Sequence, residues 1–167
     1  CVMLLVTVLG ACAPAAEVTA PEETAAPVKE AKDLVFASVV KSIGDTWFIR
    51  YETGIKQFEK DYGIKSFMEG PSQPDSAAQV AVIEDLIAQG VDVIINVPYG
   101  VPENEPAQKN GVDAGILVMG HEAETAKEGT LTYDVEAFDN CSYGEEMMRE
   151  LATRMGEEGK YIQFVGS

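Results

Sequence analysis

The chain has 167 residues, of which 46% are hydrophobic, and a formal net charge of −16. That length suits one globular core and leaves no room for two full domains of ~100 to 200 residues each. The acidic surface repels phosphate backbones and anionic headgroups, which argues against nucleic acid as a partner, although the same charge also serves solubility alone. The three cysteines are Cys1, Cys12 and Cys141, and there is a single histidine. No C-x-x-C pair occurs, so a zinc ribbon, a thioredoxin motif and a multi-histidine metal site are all excluded. Cys141 is read as a buried or helix-face thiol.

Residues Val2 to Ala11, VMLLVTVLGA, form an apolar run too short to span a bilayer, which takes ~20 residues. It has the size of a signal-peptide core and ends in small residues. Leu9, Gly10, Ala11 and Cys12 resemble the bacterial lipobox, in which the cysteine thiol takes a diacylglycerol and becomes the mature N-terminus. A buried first strand is the alternative. No initiating Met or basic flank precedes the run, so a chain cut at its start is expected. Ala13 to Lys32 is rich in Ala, Pro and Glu and has no apolar period. It cannot bury enough surface to offset its conformational entropy, which predicts an extended tether.

Periodicity begins at Leu34. Val35 to Val40 predicts a first strand, and Asp45 to Tyr62 a helix with Phe48, Tyr51, Ile55, Phe58 and Tyr62 on one face and Gly63 as its stop. Gly54 falls on that face, where a missing side chain would let the helix approach the sheet. Ile64 to Met68 is a second strand, followed by turn residues EGPSQP. A second helix runs from Asp75, a good N-cap, to Gln89, with Val80, Ile83, Leu86 and Ile87 apolar and Gly90 as C-cap. Val93 to Val97 reads as a central strand, apolar on both faces. A third helix from about Glu103 to Val112 is opposed by Pro106 and Gly111. Ile116 to Met119 and Leu131 to Val135 are strands four and five, Phe138 to Met155 is a fourth helix, and Tyr161 to Val165 is a sixth strand. Alternating strands and helices in units of ~30 residues predict an α/β fold, a parallel sheet with helices on both faces. A buried-type strand at the terminus suggests a chain cut there too.

Two clusters stand at strand mouths, where open α/β sheets bind ligands. The first, after strand one, holds Lys41, Ser42, Asp45, Trp47 and Phe48; the second, after strand four, holds Gly120, His121 and Glu122. Carboxyl ends of parallel strands lie along one edge, so the clusters are expected to converge. Aromatic rings cover the C–H faces of a polyhydroxylated molecule while polar groups take its hydroxyls. The plainer alternative makes Trp47 and Phe48 core residues, Lys41 a solvated charge, and His121 and Glu122 an exposed turn. His121-Glu122-Ala123-Glu124 lacks the second histidine of a zinc hydrolase. Neither G-x-x-x-x-G-K-[ST] nor G-x-G-x-x-G follows any strand, and no serine lies in G-x-S-x-G, so nucleotide cofactors and acyl transfer lack their usual machinery.

The runs VVKSIGDTWF, GPSQPDSAAQVAVIEDLIAQGVDVIINVP, GILVMGHEAE and YDVEAFDNCSYGEEMM, taken in order over nearly all of residues 33 to 167, resemble type I periplasmic solute-binding proteins of sugar ABC transporters. The nearest likeness is to the rhamnose- and autoinducer-2-binding subgroup, with ribose-binding proteins further off. The resemblance implies a two-lobed clamp, each lobe flavodoxin-like, that closes on a sugar-like molecule and delivers it to a membrane permease without catalysis or cofactor. It assigns ligand contacts to Lys41, Trp47 and Phe48, and an acidic contact after strand four to His121 and Glu122, where this chain has Gly-His-Glu in place of an Asp-type motif. Asp139 and Asn140 fall where family chains cross between lobes, and read as hinge or helix-cap residues. The implied layout is a signal remnant with lipobox at 1–12, a linker at 13–32, an N-terminal lobe at 33–135 and the start of a second lobe at 136–167. On this reading the protein is a monomeric lipoprotein, anchored through Cys12 at the periplasmic or cell-surface side of a membrane, and the piece present binds ligand poorly by itself. A ligand-sensing module for a chemoreceptor or sensor kinase is the alternative.

Overall fold

The computed structural model describes residues 29–123 and 125–164. The expected lipobox with Cys12, most of the linker, and Val165 lie outside them. After a short 3-10 turn at Ala31–Asp33 come β1 (Val35–Val39), α1 (Thr46–Tyr62), β2 (Lys65–Glu69), α2 (Ser76–Gln89), β3 (Val93–Asn96), α3 (Val101–Asp113), β4 (Leu117–Gly120), β5 (Tyr133–Asp134) and α4 (Asn140–Met155). The five strands form one parallel sheet in the order β2-β1-β3-β4-β5. Val39 pairs with Glu69 and with Asn96, Asn96 with Gly120, and Gly120 with Asp134. This register aligns the carboxyl ends of the strands along a single edge.

The two-residue alternation of the strands divides the core between the sheet's faces. Ala37, Val39, Ile94 and Val118 pack with Ile83 and Leu86 of α2 and Ala107 of α3. Ile83 and Leu86 are fully buried, each contributing ~1.5 to 3 kcal/mol relative to exposure. On the opposite face Val40 and Val97 pack with Phe48 of α1, and Phe36 stacks on Phe58 at 5.6 Å between ring centroids. Helices therefore cover both faces, as the alternating pattern predicts.

Several local expectations differ from the structure. Gly54 does not bring α1 close to the sheet: a Cβ there would have nothing within 4 Å. The position instead borders an apolar hollow of about 260 Å³ with Phe36, Tyr51, Ile55, Phe58 and Ile95. Close approach occurs at Gly111, where a Cβ would come within 2.9 Å of Val118 Cγ2. Helix α3 nevertheless runs through both Pro106 and Gly111, where intrinsic propensity opposes it by ~3 and ~1 kcal/mol respectively. Strand β3 is not apolar throughout, because Asn96 is fully buried on the face toward α2 and α3. Strand β5 is shorter than the predicted Leu131 to Val135, although Thr132 N donates to Val118 O and Val135 N to Gly120 O on either side of it.

The expected sixth strand is not formed among the described residues. Tyr161 to Phe164 adopt no regular structure, and Tyr161, Ile162 and Phe164 are 54%, 83% and 93% exposed. A strand satisfies its backbone through a neighbouring strand, and among the described residues none lies beside this segment. Helix α4 likewise leaves Met147 and Met148 exposed.

Candidate functional site

The first cluster is positioned by the start of α1. Asp45 is the N-cap, its carboxylate accepting from Trp47 N at 2.8 Å, so the first helical turn begins at the edge of the sheet. Trp47 consequently stands 64% exposed, while Phe48 on the next position is buried with Val40 and Val97. The second cluster is positioned by the ladder running past β4. His121 N donates to Asn96 O at 3.0 Å, and the His121 ring meets Val135 O through Nδ1 at 2.8 Å.

The clusters converge. Lys41 Nζ pairs with Glu122 Oε2 at 2.6 Å, a contact across 81 positions of sequence. Trp47, His121 and Glu122 line one hollow of about 90 Å³ together with Glu136, Phe138 and Asn140. Small-ligand pockets enclose ~300 Å³ or more, so this hollow by itself is smaller than a small-molecule site. Ser42 and Asp45 face a separate, open, polar recess with Ser72 and Gln73 from the β2–α2 loop. Phe48 supports the rim from beneath and does not line the hollow. Asp139 caps α4 by accepting from Ser142 N, and Asn140 is the first residue of that helix.

The charge around the mouth is mixed. Asp134 lies over Gly120, where a Cβ would meet its Oδ1 at 2.6 Å. Partial desolvation, then the adjacent Glu136 carboxylate, push the Asp134 pKa above its ordinary value. The Ser142 backbone N–H holds Asp139 below its own. Further back, Lys127 donates to Glu105 through both its backbone N and its Nζ, pinning the β4–β5 loop to α3 and lowering the Glu105 pKa. No group of three or more metal-ligating side chains occurs among the described residues.

Two features escaped the sequence reading. Glu136, Ala137 and Phe138 enter the hollow because they follow β5, and the strand-mouth rule that located the other clusters applies to them equally. The other is a buried amide network behind the rim. Gln79 Nε2 donates to Asn96 Oδ1 and Val97 O, Tyr99 N donates to Gln79 Oε1, and Asn104 Nδ2 donates to Tyr99 O and Gly100 O. Its one visible signal is an asparagine inside an otherwise aliphatic strand.

The architecture agrees with comparisons to known proteins. The family described as periplasmic binding protein domain matches residues 36–167. Over 137 residues, 81% of the chain, it is 28% identical to the ribose import binding protein RbsB of Bacillus subtilis, covering 43% of that protein. It is also 28% identical over 86 residues, 50% of the chain, to the D-ribose/D-allose-binding protein of Pseudomonas aeruginosa, covering 27% of it. The fold superposes on LsrB from Clostridium saccharobutylicum, solved in complex with AI-2, with a TM-score of 0.67 at 21% identity, over 77% of this chain and 39% of that one. The chain thus spans less than half the length of the curated relatives it matches. With the matched region running from β1 through α4, the chain belongs to the periplasmic binding protein domain family.

Proposed function

We propose that this chain carries the first lobe, and the crossing into the second, of an extracytoplasmic solute-binding protein that captures a neutral sugar or sugar-like molecule for an ABC importer and performs no chemistry on it. The observation that carries this reading is the meeting of an exposed indole with Lys41, His121 and Glu122 on one rim at the carboxyl ends of β1 and β4. Lysine only donates and a carboxylate only accepts, and a neutral His121 whose Nδ1–H is given to Val135 O offers Nε2 as a further acceptor, so the rim presents both roles to hydroxyls that do both. Each such bond contributes ~0.5 to 1.5 kcal/mol net, so stacking on Trp47 has to supply much of the remainder. The ribose and allose named for the curated relatives are ligands of this chemistry.

In this reading Ser42 and Asp45 shape the neighbouring recess, Phe48 stiffens the rim, and Asp139 and Asn140 mark the crossing between lobes. Ligand bridging the lobes shifts an open ensemble toward a closed one. A lipid on Cys12 and the tether over 13–32 hold a monomer at the outer face of a membrane, beside its permease. The test is calorimetry of the intact protein against D-ribose, D-allose and L-rhamnose. Trp47→Ala is expected to weaken binding of the sugar that binds by ~1 to 3 kcal/mol, the scale of one large side chain. Unchanged affinity in that variant, or no heat with any of the three, overturns the assignment.

A further inference from the structure

Pairing between β5 and the segment after β4 continues past the end of the strand. Val135 N donates to Gly120 O at 2.9 Å, Val135 O meets His121 Nδ1 at 2.8 Å, and Ala123 N donates to Glu136 Oε1 at 2.7 Å. Residues 121 and 123 are therefore both anchored, and Glu122 stands between them. Its φ is 60°, in the left-handed region that side-chain-bearing residues seldom adopt. From that conformation the carboxylate reaches Lys41 Nζ. An unfavourable backbone conformation persists where its surroundings over-determine it.

We infer that Glu136 is a positioning residue for the mouth: by holding the Ala123 N–H it keeps Glu122 in the left-handed turn from which it reaches Lys41. The inference rests on reading the mouth as a ligand site. Ala123 is 1% exposed, so without Glu136 its N–H loses its hydrogen-bond acceptor, and the turn would rearrange to satisfy it.

The experiment follows exchange of the Ala123 amide hydrogen by NMR in the intact protein, with D-ribose affinity measured in parallel by calorimetry. Glu136→Ala is expected to speed exchange at Ala123 by about tenfold and to weaken ribose binding by about tenfold. Glu136→Gln retains a carbonyl acceptor and is expected to stay within about threefold of the unaltered protein on both readouts. Unaltered Ala123 exchange in Glu136→Ala, or equal damage from Glu136→Gln, overturns the positioning role. Ribose binding that persists alongside either result sinks this inference and leaves the sugar reading standing. Protection of Ala123 that depends on Glu136 in a protein taking up no ribose, allose or rhamnose sinks the sugar reading and leaves the positioning role standing.

Discussion

Gln79 and Gln108 are both fully buried, yet their amides live in opposite circumstances. Gln79 makes three hydrogen bonds, to Asn96, Val97 and Tyr99. Gln108 has no partner for either side-chain polar atom among the described residues. A buried amide without partners carries a desolvation cost of ~1 to 3 kcal/mol, whereas a satisfied one returns that cost. Gln108→Met, which keeps the volume, is therefore expected to leave stability unchanged or raise it by ~1 kcal/mol. Gln79→Met is expected to lose ~2 kcal/mol or more, because it strands Tyr99 N and an Asn96 oxygen in the interior. Urea denaturation midpoints of the two variants separate these outcomes, and similar losses in both would contradict the contrast.

At the scale of elements, α1, α2 and α4 share one punctuation: an aspartate N-cap, at Asp45, Asp75 and Asp139, and a glycine C-cap in the left-handed region, at Gly63, Gly90 and Gly156. The cap bonds fall on Trp47, Ala78 and Ser142 N. Asp75→Ala is expected to cost ~1 kcal/mol and Asp75→Asn only a few tenths, because asparagine keeps the accepting oxygen. Thermal melts of the pair decide this, and equal losses would point to charge and not to the cap bond. The third helix lacks a side-chain cap and begins after Gly100. Asn104 closes that end by donating from inside the helix back to Tyr99 O and Gly100 O.

Over the whole molecule, two aspartates link stability to pH with opposite sign. Burial raises the Asp92 pKa, but hydrogen bonds from Lys29 and from Val35 N outweigh it and leave the group below its ordinary value. A carboxyl depressed by folding stabilises the native state above its unfolded pKa and loses that contribution as pH falls through its folded one. Asp134 is raised, so its effect runs the other way: the native state is penalised progressively as pH rises from the usual carboxylate range through the raised value. Asp134→Asn is expected to remove that penalty and flatten the stability profile on its neutral side. Asp92→Asn is expected to weaken the protein at neutral pH and shrink its loss at acid pH. Denaturation midpoints measured across pH test both, and a neutral-side slope that survives Asp134→Asn would refute the first.

The convergence of the two strand-mouth clusters is legible in the sequence. Short apolar runs mark β1 and β3, and Asp and Gly mark the helix ends, because these depend on residues close together in the chain. The strand-mouth rule then places Lys41 and Trp47 opposite His121 and Glu122, since parallel strands share a direction. Periodicity could not tell Trp47 from Phe48: adjacent residues on a helix differ by ~100° in direction, and the position of the sheet beneath decides which one is buried. Nor could it show that Tyr161 to Phe164 has no strand beside it, that Gly111 and not Gly54 receives a close neighbour, or that Glu136 reaches Ala123. Each of these depends on contacts between residues distant in sequence, which local pattern does not encode and chain packing alone determines.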